Sequence, residues 1–214
     1  MNRILSLLFL LTGLALADVN AFQTAPRPQA DSVAIGDSLS PVDSFSRKAD
    51  SISQDIPVVY QLNIREDIGP AALRKVRNAF TELDKVKASY LLVNMNTYGG
   101  LLNAADSIRT RLLESPVPVI VYINNNAASA GALIALACDS IYMHPGATIG
   151  AASVVNESGE VLPEKYQSYM RSMMRATAEV QGRDPHIAEA FVDPAVDLPE
   201  IVAEGKVLTF TSTE

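Results

Sequence analysis

The 214-residue sequence predicts an α/β fold with a largely parallel sheet flanked by helices. Two observations carry that prediction. Short β-rich apolar runs alternate along the chain with longer stretches whose apolar residues recur at helical spacing. The second and third of these runs are short and mostly apolar, as expected of parallel strands buried on both faces by crossover helices.

The elements follow in order. Residues 58–64 are β-rich and follow Pro57, which makes them a strand. Pro70 opens a helix at a favoured first-turn position. Leu73, Val76, Phe80, Leu83 and Val86 then recur at helical spacing through Lys87. Residues 90–95 form the second strand, and Asn96-Thr97-Tyr98-Gly99-Gly100 a turn. Residues 101–114 form a helix with Leu102, Ala105, Ile108 and Leu112 on one face, broken by Pro116 and Pro118. Residues 119–123 are the third strand, and Asn124-Asn125-Asn126 a turn. Residues 128–137 are an apolar helix of small residues, and residues 140–143 a strand. A long helix over 164–181 and a short one over 186–192 complete the series. Strand–helix–strand succession implies right-handed crossovers, with ligands at the carboxyl ends of the strands. Residues 207–210 are strand-like. Thr211-Ser212-Thr213-Glu214 then spells a capping box, which announces a further helix. From this the sequence is expected to be a fragment of a longer protein.

The first 55 residues differ from the rest. Arg3, the apolar run over 4–16 and Ala15-Leu16-Ala17 predict a cleaved secretory signal over residues 1–17. Residues 18–55 hold seven Ser, six Asp and three Pro without periodicity, which predicts a disordered tether. The folded domain is expected over 56–214.

Composition closes several function classes. A net charge of −7 argues against a nucleic-acid partner, which requires a basic footprint on the phosphates. One cysteine excludes an internal disulfide framework. Cys138, with His144 and His186, leaves little for a metal site, and no cofactor is expected. The remaining chemistry uses Ser, Lys, Asp, Glu or backbone groups.

Ala127-Ala128-Ser129-Ala130-Gly131 places a serine where a strand turns into a helix. Unpaired N–H groups at a helix start point at any oxyanion formed beside that serine. The alternative is an ordinary helix cap on an Ala-rich helix. Gly99 and Gly100 end the neighbouring strand. They either let a backbone N–H approach the same oxyanion or make a simple tight turn. A serine nucleophile needs a base. His144 precedes Pro145-Gly146, and His186 starts a helix in a polar loop. Among the lysines, Lys165 stands apart. It opens a helix after Pro163-Glu164, close to Tyr166, Tyr169 and Met170, where a helix N-terminus disfavours the protonated amine. The alternative is one more exposed helix lysine.

The order of these motifs resembles that of the NfeD-type membrane-bound serine proteases, or stomatin operon partner proteins, of the Clp-protease-like and crotonase-like superfamily. The motifs are Thr97-Tyr98-Gly99-Gly100, Ala127 to Gly131, Pro145-Gly146-Ala147-Thr148-Ile149-Gly150-Ala151 and Pro163-Glu164-Lys165. The likeness covers residues 57–214 and includes Gly205-Lys206-Val207-Leu208-Thr209. It implies a Clp-like fold of repeated ββα and βαβ units. It implies a Ser–Lys dyad of Ser129 and Lys165, with the oxyanion hole at Gly99, Gly100 and Ala130. The histidine of the Clp triad has no counterpart after Ile149-Gly150-Ala151. The family turn is usually D-T-P-G-G, whereas this chain has Asn96 and Tyr98 in place of its Asp and Pro.

The resemblance further implies an exported, membrane-associated endopeptidase with an extracytoplasmic, periplasmic protease domain. Its substrates would be hydrophobic segments, including those of stomatin (SPFH-type) membrane partners. It would be a homo-oligomer, such as a dimer, and continue into transmembrane helices and an OB-like domain. Two other readings stand beside it: a non-catalytic module that binds hydrophobic tails, and a crotonase-type acyl-CoA enzyme, which export disfavours.

Overall fold

The computed structural model describes residues 56–203 and 205–214. The expected signal segment 1–17 and tether 18–55 lie outside the described residues. Strands are β1 (Val59–Ile64), β2 (Tyr90–Thr97), β3 (Val119–Ala128), β4 (Ser140–Met143), β5 (Thr148–Gly150) and β6 (Thr209–Thr211). Helices are α1 (Pro70–Val86), α2 (Leu102–Leu113), α3 (Ala130–Leu136), α4 (Glu164–Val180) and α5 (Pro185–Ala190). Among the described residues, no helix is long and apolar enough to cross a membrane.

The six strands form one sheet. β1, β2 and β3 pair in parallel in sequence order. The long β3 then shares its far edge. Ile120–Ile123 pairs with β4 and Asn126–Ala128 with β5, both in parallel. β5 also pairs with β6, antiparallel. The expected parallel α/β architecture is therefore present, closed by one antiparallel strand.

One expectation is corrected. The sheet is not buried on both faces. Leu62, Ile64, Leu91, Val93, Met95, Val119, Val121 and Ile123 point into a single core shared with Val76, Phe80, Ile108, Leu133 and Met174. On the opposite face Val59, Gln61, Asn63, Tyr90, Leu92, Asn94, Ile120 and Tyr122 are half-buried or exposed. The strand order explains this. Each crossover steps the same way along the sheet, so right-handed connections bring their helices to one side.

Local chemistry sets the helix boundaries. Pro70 sits in the first turn of α1, and Lys87 ends that helix in the left-handed conformation, φ 50°. The Asp184 side chain accepts from His186 N and caps α5. α4 is tied to α5 by ion pairs of Arg171 and Arg175 with Glu189, and to the segment after α5 by Arg171 with Asp193, while Arg171 also pairs with Glu164 on its own helix. Hydrogen bonding to Glu164 holds the Arg171 guanidinium above its ordinary range. At the end of the chain the Glu214 carboxylate reaches back to Thr211 N–H at 2.9 Å, which lowers the Glu214 pKa.

Asn124 to Asn126 were expected as a turn but belong to β3. The pairing with β2 shifts between Met95↔Ile123 and Thr97↔Ala127, so β3 carries two extra residues there. Asn126 N–H donates to Asn96 Oδ1 at 3.3 Å, and Thr148 Oγ1 to Asn126 Oδ1 at 3.1 Å. These partners come from β2 and β5, so the strand is a tertiary product.

Candidate active site

β3 carries the chain to Ser129, and α3 begins one residue later. Ser129 has φ 55° and ψ −120°, a conformation that costs an L-residue about 1–3 kcal/mol. Its surroundings enforce it. Ser129 N–H donates to Gly150 O on β5 at 2.9 Å, and Ser129 O accepts from Ala132 N–H at 2.9 Å. A reversal this sharp lifts the side chain off the end of the sheet, in the manner of a strained strand-to-helix elbow.

The neighbouring turn is built to sit against it. Thr97, buried at the end of β2, donates from Oγ1 to Glu66 O at 2.8 Å and accepts from Gly99 N–H at 3.2 Å. Gly99 has φ +115°, and a Cβ there would stand 2.7 Å from Ser129 Cβ. Gly100 has φ +149°, and a Cβ there would collide with the Ile68 carbonyl. Ile68 pairs with this turn on both sides, donating to Gly99 O and accepting from Leu101 N–H, each at 2.7 Å. Gly131 is also obligatory, because a Cβ would meet Thr97 Cγ2 at 2.7 Å. Among the described residues, the N–H groups of Gly100 and Ala130 make no hydrogen bond.

Ser129, Gly100 and Ala130 open into one cavity of about 520 Å³. Its walls add Tyr98, Leu101, Leu102, Met170 and the segment 151–157. Ala151 turns the chain at φ 48°, and the segment is stitched down along one side. Ala151 N–H donates to Leu208 O, and Ser153 Oγ to Val192 O. Beyond it, residues 154–162 fold into a small hairpin, with Leu162 N–H on Val154 O and Asn156 N–H on Glu160 O, each at 2.9 Å. Among the described residues, the N–H groups of Ser153 and Val155 are unpaired.

Four of the five expected site residues thus come together: Ser129, Gly99, Gly100 and Ala130. Lys165 is not among the residues that line the cavity. It is exposed in the first turn of α4, with Nζ 4.8 Å from the centroid of the Tyr166 ring. His144 and His186 are exposed and do not line this cavity; His144 Nδ1 lies 2.8 Å from Pro145 O. Among the described residues, no group of three or more His, Cys, Asp or Glu gathers to hold a metal.

The sequence reading missed two residues. Thr97, which holds the Gly99 turn, was treated only as a motif letter. Gln167 is buried on α4 and holds the cavity wall. The available signal was a polar residue on the same stripe as Met170 and Met174.

Comparison with known proteins bears on the family and the fold. The family model described as NfeD1b, N-terminal domain, matches residues 58–214. Curated relatives include the Membrane protein NfeD1b of Bacillus subtilis, 34% identical over 155 residues. They also include the Membrane-bound protease PH1510 of Pyrococcus horikoshii, 30% identical over 149 residues. These alignments cover 72% and 66% of this chain but 36% and 34% of the relatives. The chain therefore spans about a third of the length of the curated relatives it matches. Among solved structures, the 1510-N membrane-bound stomatin-specific protease was determined as a lysine-to-alanine mutant in complex with a substrate peptide. It is 27% identical with a TM-score of 0.64, and the match covers 73% of this chain and 70% of that one. A serine-to-alanine mutant of the same protease gives the same identity and TM-score, over 74% of each chain. ClpP1 from Listeria monocytogenes, 21% identical with a TM-score of 0.51 over 62% of this chain and 78% of that one, shares the fold. On the family match over 58–214 and the architecture it accompanies, the chain belongs to the NfeD1b N-terminal domain family and has a Clp-protease-like fold.

Proposed function

We propose that this domain is a serine peptidase using Ser129 and Lys165, with an oxyanion hole formed by the N–H groups of Gly100 and Ala130 beside Gly99. The observation that carries the reading is Ser129 itself. It is held at φ 55° on a strand-to-helix junction, against a glycine turn, at the wall of a largely apolar cavity. The relative solved with substrate peptide as a lysine-to-alanine mutant, and also as a serine-to-alanine mutant, supports the same pair of residue types.

The chemistry then runs as acyl transfer. Ser129 Oγ attacks the scissile carbonyl while Lys165, as the free amine, takes the hydroxyl proton. The negative oxygen rests on the two N–H groups, each worth roughly 3–4 kcal/mol in comparable hydrolases. The C–N bond breaks, Lys165 returns the proton to the leaving amine, and water hydrolyses the acyl ester. Because Lys165 does not line the cavity here, the reading includes a closing step. Residues 157–166 approach Ser129 as peptide enters, in keeping with catalytic contacts that tighten only in the complex.

The substrate is an extended, hydrophobic segment. The unpaired N–H groups of Ser153 and Val155, two residues apart, fit the period of an added β-strand. Leu101, Leu102 and Met170 supply apolar contact. A stomatin-like membrane protein is the proposed source of that segment, since a relative is titled a stomatin-specific protease. Extracytoplasmic placement, membrane association and a homo-oligomeric state complete the proposal. Light scattering that finds only monomer at micromolar concentration would remove the last.

One observation favours a second reading. Lys165 stacked on Tyr166, outside the cavity, suits a module that binds hydrophobic tails without cutting them. Comparing wild type, Ser129→Ala and Lys165→Ala against hydrophobic peptides from pH 6 to 10 decides between them. Cleavage by wild type alone supports the peptidase. Tight binding without cleavage by any of the three supports the binder.

A further inference from the structure

Gln167 is 7% exposed, one of three buried polar residues among the described ones. It lies on α4 two residues beyond Lys165. Its side-chain amide is fully used. Oε1 accepts from Val154 N–H at 2.9 Å, and Nε2 donates to Val154 O at 2.7 Å and to Leu162 O at 3.1 Å. Pairing both backbone groups of one residue is what a neighbouring β-strand would do. The amide therefore stands in for a strand on the outer side of the cavity wall and bridges both arms of the 154–162 hairpin.

The consequence follows from strand geometry. Successive residues of an extended chain present their backbone groups to opposite sides. With Val154 turned toward Gln167, Ser153 and Val155 present theirs to the other side, where no partner is recorded among the described residues. We infer that Gln167 is a positioning residue. It fixes the twist of residues 153–155 so that their free edge is aligned to receive a peptide, and it couples that edge to the helix that carries Lys165. This rests on the peptide-processing reading above, and the wall it holds is one the sequence motifs did not include.

The obvious alternative is a plain structural role, in which Gln167 contributes only to stability. The two make different predictions. Gln167→Met keeps length and removes all three hydrogen bonds. Gln167→Asn keeps the amide and withdraws it by one methylene, and serves if the first variant fails to fold. Three quantities are read on each: the melting temperature, hydrogen exchange at the Val154 amide, and peptide kinetics. The expected result is faster exchange at Val154 with a KM for a hydrophobic peptide raised about tenfold, the worth of roughly one to two hydrogen bonds. The fall in kcat is expected to be under about threefold, because the hydrogen bonds lost hold the ground-state edge. Faster exchange at Val154 with KM unchanged overturns the inference. So does an equal loss in every activity parameter that tracks the drop in melting temperature. If wild type cuts no peptide, the peptidase reading fails by itself, and affinity for the same peptide is measured by fluorescence anisotropy. About tenfold weaker binding by the Gln167 variants then supports the positioning role, and equal binding overturns it.

Discussion

Gly99 and Ser129 are packed so closely that a Cβ on Gly99 would stand 2.7 Å from Ser129 Cβ and 3.1 Å from Ser129 Oγ. The end of β2 and the end of β3 are thereby locked in one relative position, with the Gly99 backbone against the Ser129 side chain. Gly99→Ala has no room, and its φ of +115° resists any L side chain. The expected result is loss of about 2–4 kcal/mol of stability, as for overpacking combined with backbone strain. Cleavage is expected to be lost with it. Chemical denaturation checks the first, and a variant as stable as wild type would contradict the packing described.

Ser129 carries strain of its own. Glycine adopts φ 55° and ψ −120° without it, so Ser129→Gly is expected to raise stability by about 1 kcal/mol while abolishing cleavage. A shift in denaturation midpoint at constant slope would measure this. A destabilised Ser129→Gly would mean that the hydroxyl contributes more to the fold than the backbone costs.

Arg183 holds the far end of α3. It donates to Leu136 O at 2.9 Å, Cys138 O at 2.8 Å and Asp139 O at 3.1 Å, and Gln181 Nε2 to Ala137 O at 2.8 Å. A guanidinium at a helix C-terminus also meets the negative end of the helix dipole. Burial pushes the Arg183 pKa down without removing its charge. Arg183→Met leaves these carbonyls short of donors and is expected to cost about 1–3 kcal/mol. A loss below about 0.5 kcal/mol would show that water replaces the guanidinium there.

Cys138 supplies a pH test. Burial holds its thiol well above the ordinary range, so the native state keeps the proton. The unfolded chain releases it near the ordinary cysteine pKa of about 8.5. Above that pH the unfolded state binds fewer protons than the native one, and stability falls as pH rises. Below it, this contribution is fully present. Denaturation midpoints between pH 7 and 10 are expected to decline less in Cys138→Ala than in wild type. Identical slopes would assign the decline to other groups. The buried thiol is also expected to resist alkylation until the protein unfolds.

Much of the fold was legible because it is written in local periodicity. Leu73, Val76, Phe80 and Leu83 mark α1, and Leu91 to Val93 and Val119 to Ile123 mark central strands, with no information from elsewhere in the chain. Ser129, Gly99, Gly100 and Ala130 were legible for a related reason. Small residues where a strand ends and a helix begins leave a mark in the sequence, and the family resemblance reinforced it. What tertiary structure decided depends on partners remote in sequence. Asn124 to Asn126 favour a turn locally but become strand because Asn96 and Thr148 receive them. Three-residue β5 is too short to show a period and exists by pairing with β3 and β6, whereas β6 overlaps the strand-like run 207–210. The direction of the crossovers, and hence the open face of the sheet, is set by strand order and not by any one segment. Gln167 shares a helical stripe with Met170 and Met174, but its amide finds its partners only when the hairpin folds onto it. Lys165 reads as the base from its motif, while its position relative to Ser129 is set by the packing of α4 and the hairpin before it, which no local pattern records.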